Sequence, residues 1–184
     1  NVDLGSTVRF KGGMTFCDKI RDLTDNKLIL NFCDFVLEDV KAGSFPDYNK
    51  INLMTVPKLV PNIYVIDFRK GVENGLLMKF SGTKIDKHFG QNIQGKYLEE
   101  TYTGDDKKEI LFELYRICFF DKKPIFANRV VHYDEGKTNA RYRLSTLLFL
   151  PCSSDGEEIN FGVGMVSYTY SDHSRSPIFT PLDF

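Results

Sequence analysis

The sequence contains no tryptophan, and its 184 residues include only four cysteines and three histidines. Cys17, Cys33, Cys118 and Cys152 are far apart and form no C-x-x-C pair, so their spacing indicates neither a metal site nor a disulfide. No N-x-[ST] sequon occurs, and no apolar run reaches the length of a signal peptide or a membrane span. We therefore expect a cytoplasmic protein with reduced thiols and no membrane partner.

An excess of charge of one sign is also absent. The formal net charge is −1, and the basic residues are scattered along the chain. This distribution excludes the basic patch expected of a protein that binds nucleic acid or an anionic membrane. Aromatic residues are plentiful instead, with 16 Phe and 9 Tyr in a chain that is 42% hydrophobic. The chain is therefore able to build the core of one ordinary domain.

Catalytic motifs are missing as well. There is no G-x-S-x-G nucleophile elbow, and no cysteine lies in a known catalytic context. Gly162 and Gly164 form only part of a dinucleotide-binding motif and interrupt a predicted strand, which favours a bulge or a close approach of another group. His132 is interpreted as part of a hairpin tip, and His173 as an exposed residue of a C-terminal tail. We expect no enzymatic activity.

Five β-strands are predicted from runs of β-forming residues bounded by turn residues. They cover residues 63–68, 76–81, 125–133, 141–150 and 159–170. A short helix over residues 83–88 and a longer one over residues 105–121, capped by Thr103, are predicted between the second and third strands. Because runs of strands are separated from the helices, the pattern favours an α+β fold with helices on one face of an antiparallel sheet.

Residues 1–45 are predicted to form an N-terminal extension with a helix over residues 25–41. Thr24 or Asp25 is placed to cap the start of this helix, and Gly43 to end it. Its apolar stripe is wider than one contact face, so we expect it to pack on its own domain and on a second copy in a homodimer. Residues 46–170 would form the domain, and residues 171–184 a tail.

The order of elements and several short motifs resemble those of PAS sensory domains, in particular a small bacterial subfamily that often stands alone. The motifs are VPKLVPNIYVIDF from Val56, FSGTKIDKHFGQNIQGKYLEE from Phe80, YRICFFDKKPIF from Tyr115 and RYRLSTLLFLP from Arg141. The resemblance covers about residues 46–170. It implies a five-stranded antiparallel sheet with helices on one face, and the N-terminal helical extension lies outside it.

The resemblance implies a sensory domain that binds a small molecule between the helices and the sheet and signals through self- or partner association. The expected pocket wall consists of Phe80, Phe89, Tyr97, Leu98, Phe112, Tyr115 and Arg143. Aromatic walls with a few polar groups are typical of ligand pockets. The alternative is a structural or protein-interaction module whose core is filled and holds no ligand.

The same resemblance raises the question of two cofactors that PAS superfamily members bind, flavin and haem. Ile93 stands where photoactive flavin-binding members carry the cysteine that bonds to flavin, and an alkyl side chain forms no thioether. Haem-binding members carry a proximal histidine on the longer helix, and residues 105–121 contain none. His88 is then the remaining haem ligand candidate, against its simpler interpretation as a histidine favoured by the dipole at a helix end. The identity of the ligand stays open.

Overall fold

The computed structural model describes residues 10–102, 108–133, 142–171, 173 and 177–184. Within these ranges, six strands form one antiparallel sheet in the order β2-β1-β5-β4-β3-β6. The strands are β1 (Ile63–Asp67), β2 (Leu77–Ser81), β3 (Ile125–Tyr133), β4 (Tyr142–Cys152), β5 (Phe161–Ser171) and β6 (Ile178–Pro181). The five strands predicted from the sequence correspond to β1–β5. Runs of β-branched and aromatic residues mark most of them, whereas β2 is marked by its alternation.

Strand β6 corrects the prediction of five strands followed by a tail. It pairs antiparallel with β3, with Ile178 opposite Asn128. Its four residues end at Pro181, and so short a proline-containing segment resembles a loop in sequence. A position at the edge of the sheet tolerates the proline, because one side of an edge strand needs no ladder hydrogen bonds. Phe179 is buried and gives the strand its anchor.

The N-terminal segment forms two helices, α1 (Phe16–Leu23) and α2 (Lys27–Leu37). Helix α1 lies in a stretch for which the sequence predicts no helix, and only Phe16 and Ile20 of its eight residues are buried. Its apolar residues do follow helical spacing, but eight residues are shorter than the window over which such a pattern is recognised. Helix α2 is shorter than the predicted 25–41 and begins after Asn26, which replaces Thr24 or Asp25 as the cap.

Asn26 joins the start of α2 to the sheet, which makes it a test of this packing. Its Oδ1 accepts from the N–H groups of Leu28 and Ile29, and its Nδ2 donates to Ser167 Oγ on β5 at 2.9 Å. We expect Asn26→Ala to lower the free energy of unfolding in urea by about 1–2 kcal/mol. Asn52→Ala, which removes an exposed cap from a short turn, is the control and should cost less. Equal losses would contradict the role of Asn26.

Helix α2 packs on the face of the sheet that we call the outer face. Ile29, Phe32 and Val36 are buried there against residues of β4 and β5, including Leu148 and Val163. Helices therefore cover both faces of the sheet, which corrects the prediction of one covered face. The chain's own sheet buries most of the α2 stripe, so the stripe no longer argues for a partner subunit. The homodimer through residues 25–41 stays a prediction.

The opposite face, called the inner face, is covered by the chain between β2 and β3. This segment forms α3 (Thr83–Phe89), α4 (Leu98–Thr101) and α5, which is described as Lys108–Asp121. The predicted start of α5 at residue 105 and its cap at Thr103 lie outside the described residues, as does residue 141 at the predicted start of β4. The described helices include none long and apolar enough to cross a membrane.

Sheet residues alternate between the two faces, as the pleat of a strand requires. Buried apolar residues form one cluster on each face, which we call the inner cluster and the outer cluster. On β4, Leu147 and Phe149 belong to the inner cluster, whereas Leu148 and Leu150 belong to the outer cluster. The inner cluster also receives buried residues of α5, among them Leu111, Phe112, Leu114, Tyr115 and Cys118. The inner face, under three separate helices, is where a cavity remains.

Candidate functional site

A cavity of about 30 Å³ lies between the inner face of the sheet and helices α3, α4 and α5. Buried residues from the strands form its floor, and four half-buried aromatic rings form its rim. The rim consists of His88, Phe89, Tyr102 and Tyr168. The remaining lining residues are Tyr64, Met78, Ile85, Leu98, Tyr115, Arg129, Ser145, Leu147 and Val166. The lining therefore combines apolar side chains with hydroxyl groups and one guanidinium.

Two tyrosine hydroxyls meet at the floor. Tyr64 Oη and Tyr115 Oη are 2.8 Å apart, and both side chains are buried. Burial raises the pKa of both phenols well above its usual value, so both stay neutral at physiological pH. The hydrogen bond between them uses one of their two O–H groups. The second O–H remains able to donate to a molecule in the cavity.

The position of Tyr64 is fixed by ring packing and by glycine. Its ring stacks on Phe149 with centroids 5.6 Å apart, and the Tyr115 ring meets Phe149 edge-on at 4.8 Å. Gly164 lies opposite Tyr64 on β5, where a Cβ atom would be 2.3 Å from the Tyr64 Cζ. Glycine thus permits the close approach of the ring, as expected of a strand glycine. The Tyr64 hydroxyl is held in one direction, toward Tyr115.

A buried cation lies on the same face. Arg129 on β3 is only 5% exposed, and its Nη2 donates to Tyr102 Oη at 3.2 Å. Ser145 is directly opposite on β4 and is also buried. The described residues that line the cavity include no carboxylate. Arg129 therefore brings a guanidinium, and Ser145 a hydroxyl, to the lining.

The rim is closed by stacked rings. His88 lies parallel to Tyr168 with centroids 4.3 Å apart, and the Arg143 guanidinium is 4.8 Å from the Tyr168 ring. Phe89 packs edge-on against Tyr102 at 5.1 Å. These contacts are held by dispersion and by the ring quadrupoles, and each contributes on the order of 1 kcal/mol. The rim is the weakest part of the wall, because its rings are only half-buried.

Three of the residues predicted as pocket wall line this cavity, namely Phe89, Leu98 and Tyr115. Phe112 is buried behind the rim, edge-on to Tyr102 at 5.3 Å. Arg143 lies outside the lining, contacts the Tyr168 ring and borders a separate depression. Whether any of these residues binds a ligand stays a prediction.

Phe80 and Tyr97 are placed elsewhere. Phe80 belongs to the outer cluster, and Met78 takes the position on the cavity. The cause is a bulge in the β1–β2 pairing, where Val65 faces Phe80 but Ile66 faces Met78. A bulge adds one residue to a strand and so moves the following side chain to the other face. Tyr97 is half-buried at the cap of α4 and does not line the cavity.

Several lining residues were not expected from the sequence. Tyr64, Arg129, Ser145, Val166 and Tyr168 reach the cavity from four different strands. Their common signal is strand alternation, but the face that each strand turns inward depends on its register. That register is set by pairings between distant segments of the chain, which no local pattern reveals.

The two PAS cofactors do not fit this arrangement. Ile93 is fully buried in the inner cluster, and His88 is stacked on Tyr168. A space of about 30 Å³ is comparable to the share of one water in the liquid, far smaller than a haem or a flavin ring system. The described ranges also hold no group of three His, Cys, Asp or Glu side chains that could bind a metal ion. The side chain of His132 lies outside the described residues.

Comparisons with known proteins find matches among solved structures. Neither a protein-family model nor a curated protein sequence matches the chain. Among solved structures, the chain is similar to the PAS domain from Bordetella pertussis BvgS, with a TM-score of 0.45 and 20% sequence identity. The match covers 61% of this chain and 82% of that one.

Proposed function

We propose that this chain, whose fold is PAS-like in its element order and antiparallel sheet, is a sensory domain for a small polar molecule. The molecule would bind in the cavity on the inner face. One observation supports this proposal above the others. Hydroxyl groups of Tyr64, Tyr115 and Ser145 and the guanidinium of Arg129 line the same space as several apolar side chains. A few placed polar groups among apolar walls are what orient a ligand.

The proposed ligand enters through the rim. A cavity of about 30 Å³ holds a water molecule or a guest of very few atoms, whereas known ligand pockets measure roughly 300–1,000 Å³. A larger ligand therefore requires the half-buried rings of His88, Phe89 and Tyr102 to move outward. Glycine ends α3 at Gly90 in a left-handed conformation, with φ of 68°. This helix end supplies a place where the backbone is able to bend.

The proposed signal is a change in population between a closed rim and an open one. A ligand shifts such an equilibrium only by its difference in affinity for the two states. The open state exposes rim rings that the closed state half-buries, and such rings provide an area for contact with a second copy or another protein. Association would then report occupancy of the cavity.

The first test is a screen of small carboxylates, neutral polyols and small amines by thermal unfolding, together with native mass spectrometry of the purified chain. We expect at least one of these compounds to raise Tm, because a ligand of the folded state stabilises it by mass action. Tyr115→Phe and Ser145→Ala should each weaken that compound roughly tenfold, which is about 1.4 kcal/mol. Tyr97→Phe, half-buried and outside the cavity, is the matched control and should leave the affinity unchanged.

The second candidate function is a protein-interaction module with a filled core. The small volume of the cavity favours it, since a space of this size needs no ligand beyond water. The same screen separates the two candidates. A protein that carries no retained molecule, and whose Tm responds to none of the compounds, would contradict the sensory proposal and favour the interaction module.

A further inference from the structure

We infer that Cys17 and Cys33 form a reversible disulfide that fastens α1 to α2 when the protein meets a hydroperoxide. Their Sγ atoms lie 3.1 Å apart, although sixteen positions separate the residues in sequence. Helix packing makes this contact, which is why cysteine spacing gave no sign of it. A disulfide bond measures about 2.03–2.05 Å, so the two sulfur atoms need to approach by only about 1 Å.

The two helices are already held in the orientation that the bond needs. Phe16 and Ile20 of α1 pack in the outer cluster with the buried residues of α2. On the exposed side, Arg21 of α1 bonds to Asp34 of α2, with Nη2 2.8 Å from Oδ1. Oxidation would therefore proceed by small side-chain rotations, and the backbone of both helices would stay in place.

Solvent reaches one of the two thiols. Cys17 is half-buried and borders an open depression of about 450 Å³, together with Asp34, Phe35, Leu37 and Glu38. Cys33 is buried beneath it, with 1% exposure. Cys17 is therefore the thiol that a small oxidant meets first, and Cys33 is the resolving thiol. Cys118 and Cys152 are both buried.

The chemistry balances with hydrogen peroxide as the oxidant. The Cys17 thiolate attacks one peroxide oxygen, so that an S–O bond forms, the O–O bond breaks and the other oxygen leaves as water after taking a proton. The Cys33 sulfur then attacks the Cys17 sulfenic acid, so that the S–S bond forms and the S–O bond breaks. The departing hydroxide takes the Cys33 proton and leaves as a second water. Two thiols and one peroxide thus give one disulfide and two waters.

The reaction should be slow at neutral pH and faster in alkaline solution. Burial and, to a smaller extent, the neighbouring Asp34 carboxylate raise the pKa of the Cys17 thiol above its usual value, although the hydrogen bond with Cys33 and the charge of Arg21 act in the opposite direction. Since the thiolate is the nucleophile, the rate increases with pH through the range below that raised pKa. The disulfide is accordingly a response to sustained oxidant rather than to brief exposure.

The experiment uses the full chain, fully reduced, then treated with hydrogen peroxide, and counts free thiols after denaturation. We expect the count to fall from four to two and the mass to fall by that of two hydrogen atoms. Peptide mapping should find residues 17 and 33 in one linked pair. The oxidised protein should melt roughly 5–10 °C higher, because the bond closes a loop of this length, and dithiothreitol should reverse the shift.

Substitutions of single cysteines test whether the disulfide joins this pair and not Cys118 or Cys152. Cys17→Ser and Cys33→Ser should keep all three remaining thiols unpaired, with no rise in Tm. Cys118→Ala is the matched control and should still form the linked pair. Should a variant fail to fold, peptide mapping of the natural chain still decides the question. Four free thiols after prolonged oxidation, sulfinic acid at Cys17, or a cross-link between two chains would each overturn the inference.

Discussion

Gly82→Ala will destabilise the protein by about 3 kcal/mol or more, because a Cβ atom at this position meets backbone rather than side chain. The new atom would lie 2.3 Å from the Val60 carbonyl oxygen and 2.4 Å from that of Pro61. Both carbonyls belong to the turn that leads into β1, and the Gly82 N–H donates to Ile63 O within the same contact. Backbone atoms cannot rotate away, so either β1 or the start of α3 must shift.

Gly12→Ala is the control for this prediction. No heavy atom lies within 4 Å of a Cβ built at Gly12, and its φ is not in the left-handed region. We expect it to change the free energy of unfolding in urea by no more than about 0.5 kcal/mol. A loss at Gly82 as small as that at Gly12 would contradict the close approach. Because α3 begins directly after Gly82, the variant should also disturb the inner cavity if it folds.

The strands were predictable where the sequence contains a clear run of apolar or β-branched residues. The run Ile63–Asp67 is apolar and β-branched, and β4 and β5 are long and apolar, so the pattern alone located all three. The short elements α1 and β6 were missed for the opposite reason. Each buries only a few side chains, and its stability comes from the sheet that it joins rather than from its own sequence.

The position of α2 shows a second limit. Its wide apolar stripe was correctly identified, but the stripe does not encode what covers it. The structure supplies the outer face of the sheet, through contacts with β4 and β5. A partner subunit would leave the same pattern in the sequence. Amphipathicity therefore predicts that a surface is buried, and only long-range packing decides by what.

The cavity was predicted in its place and only partly in its residues. The positions of α3 and α5 were predicted from the sequence, and two of the residues they contribute, Phe89 and Tyr115, were predicted as pocket wall. The strand residues depended on register. A bulge beside Lys79 places Phe80 on the outer face, and no residue in β2 indicates that a bulge occurs there. Arg129 and Ser145 become neighbours only through the β3–β4 pairing.

Gly162→Ala is the second change with a large expected effect. A Cβ atom here would lie 2.0 Å from Phe149 Cζ and 2.5 Å from its Cε1, in a part of the core where both residues are buried. We expect a loss of up to about 3 kcal/mol in the free energy of unfolding, measured with urea, because the ring has to leave its position between Tyr64 and Tyr115.

A double-mutant cycle identifies the ring as the cause. Phe149→Leu removes Cζ, so Gly162→Ala should cost at least about 1 kcal/mol less in that background than in the natural chain. Val163→Ala is the control, since Val163 is the neighbouring β5 residue on the outer face and belongs to the other cluster. Its cost should be the same in both backgrounds. An equal cost of Gly162→Ala with and without the ring would contradict the close approach to Phe149 and would mean that this contact does not set the floor of the cavity.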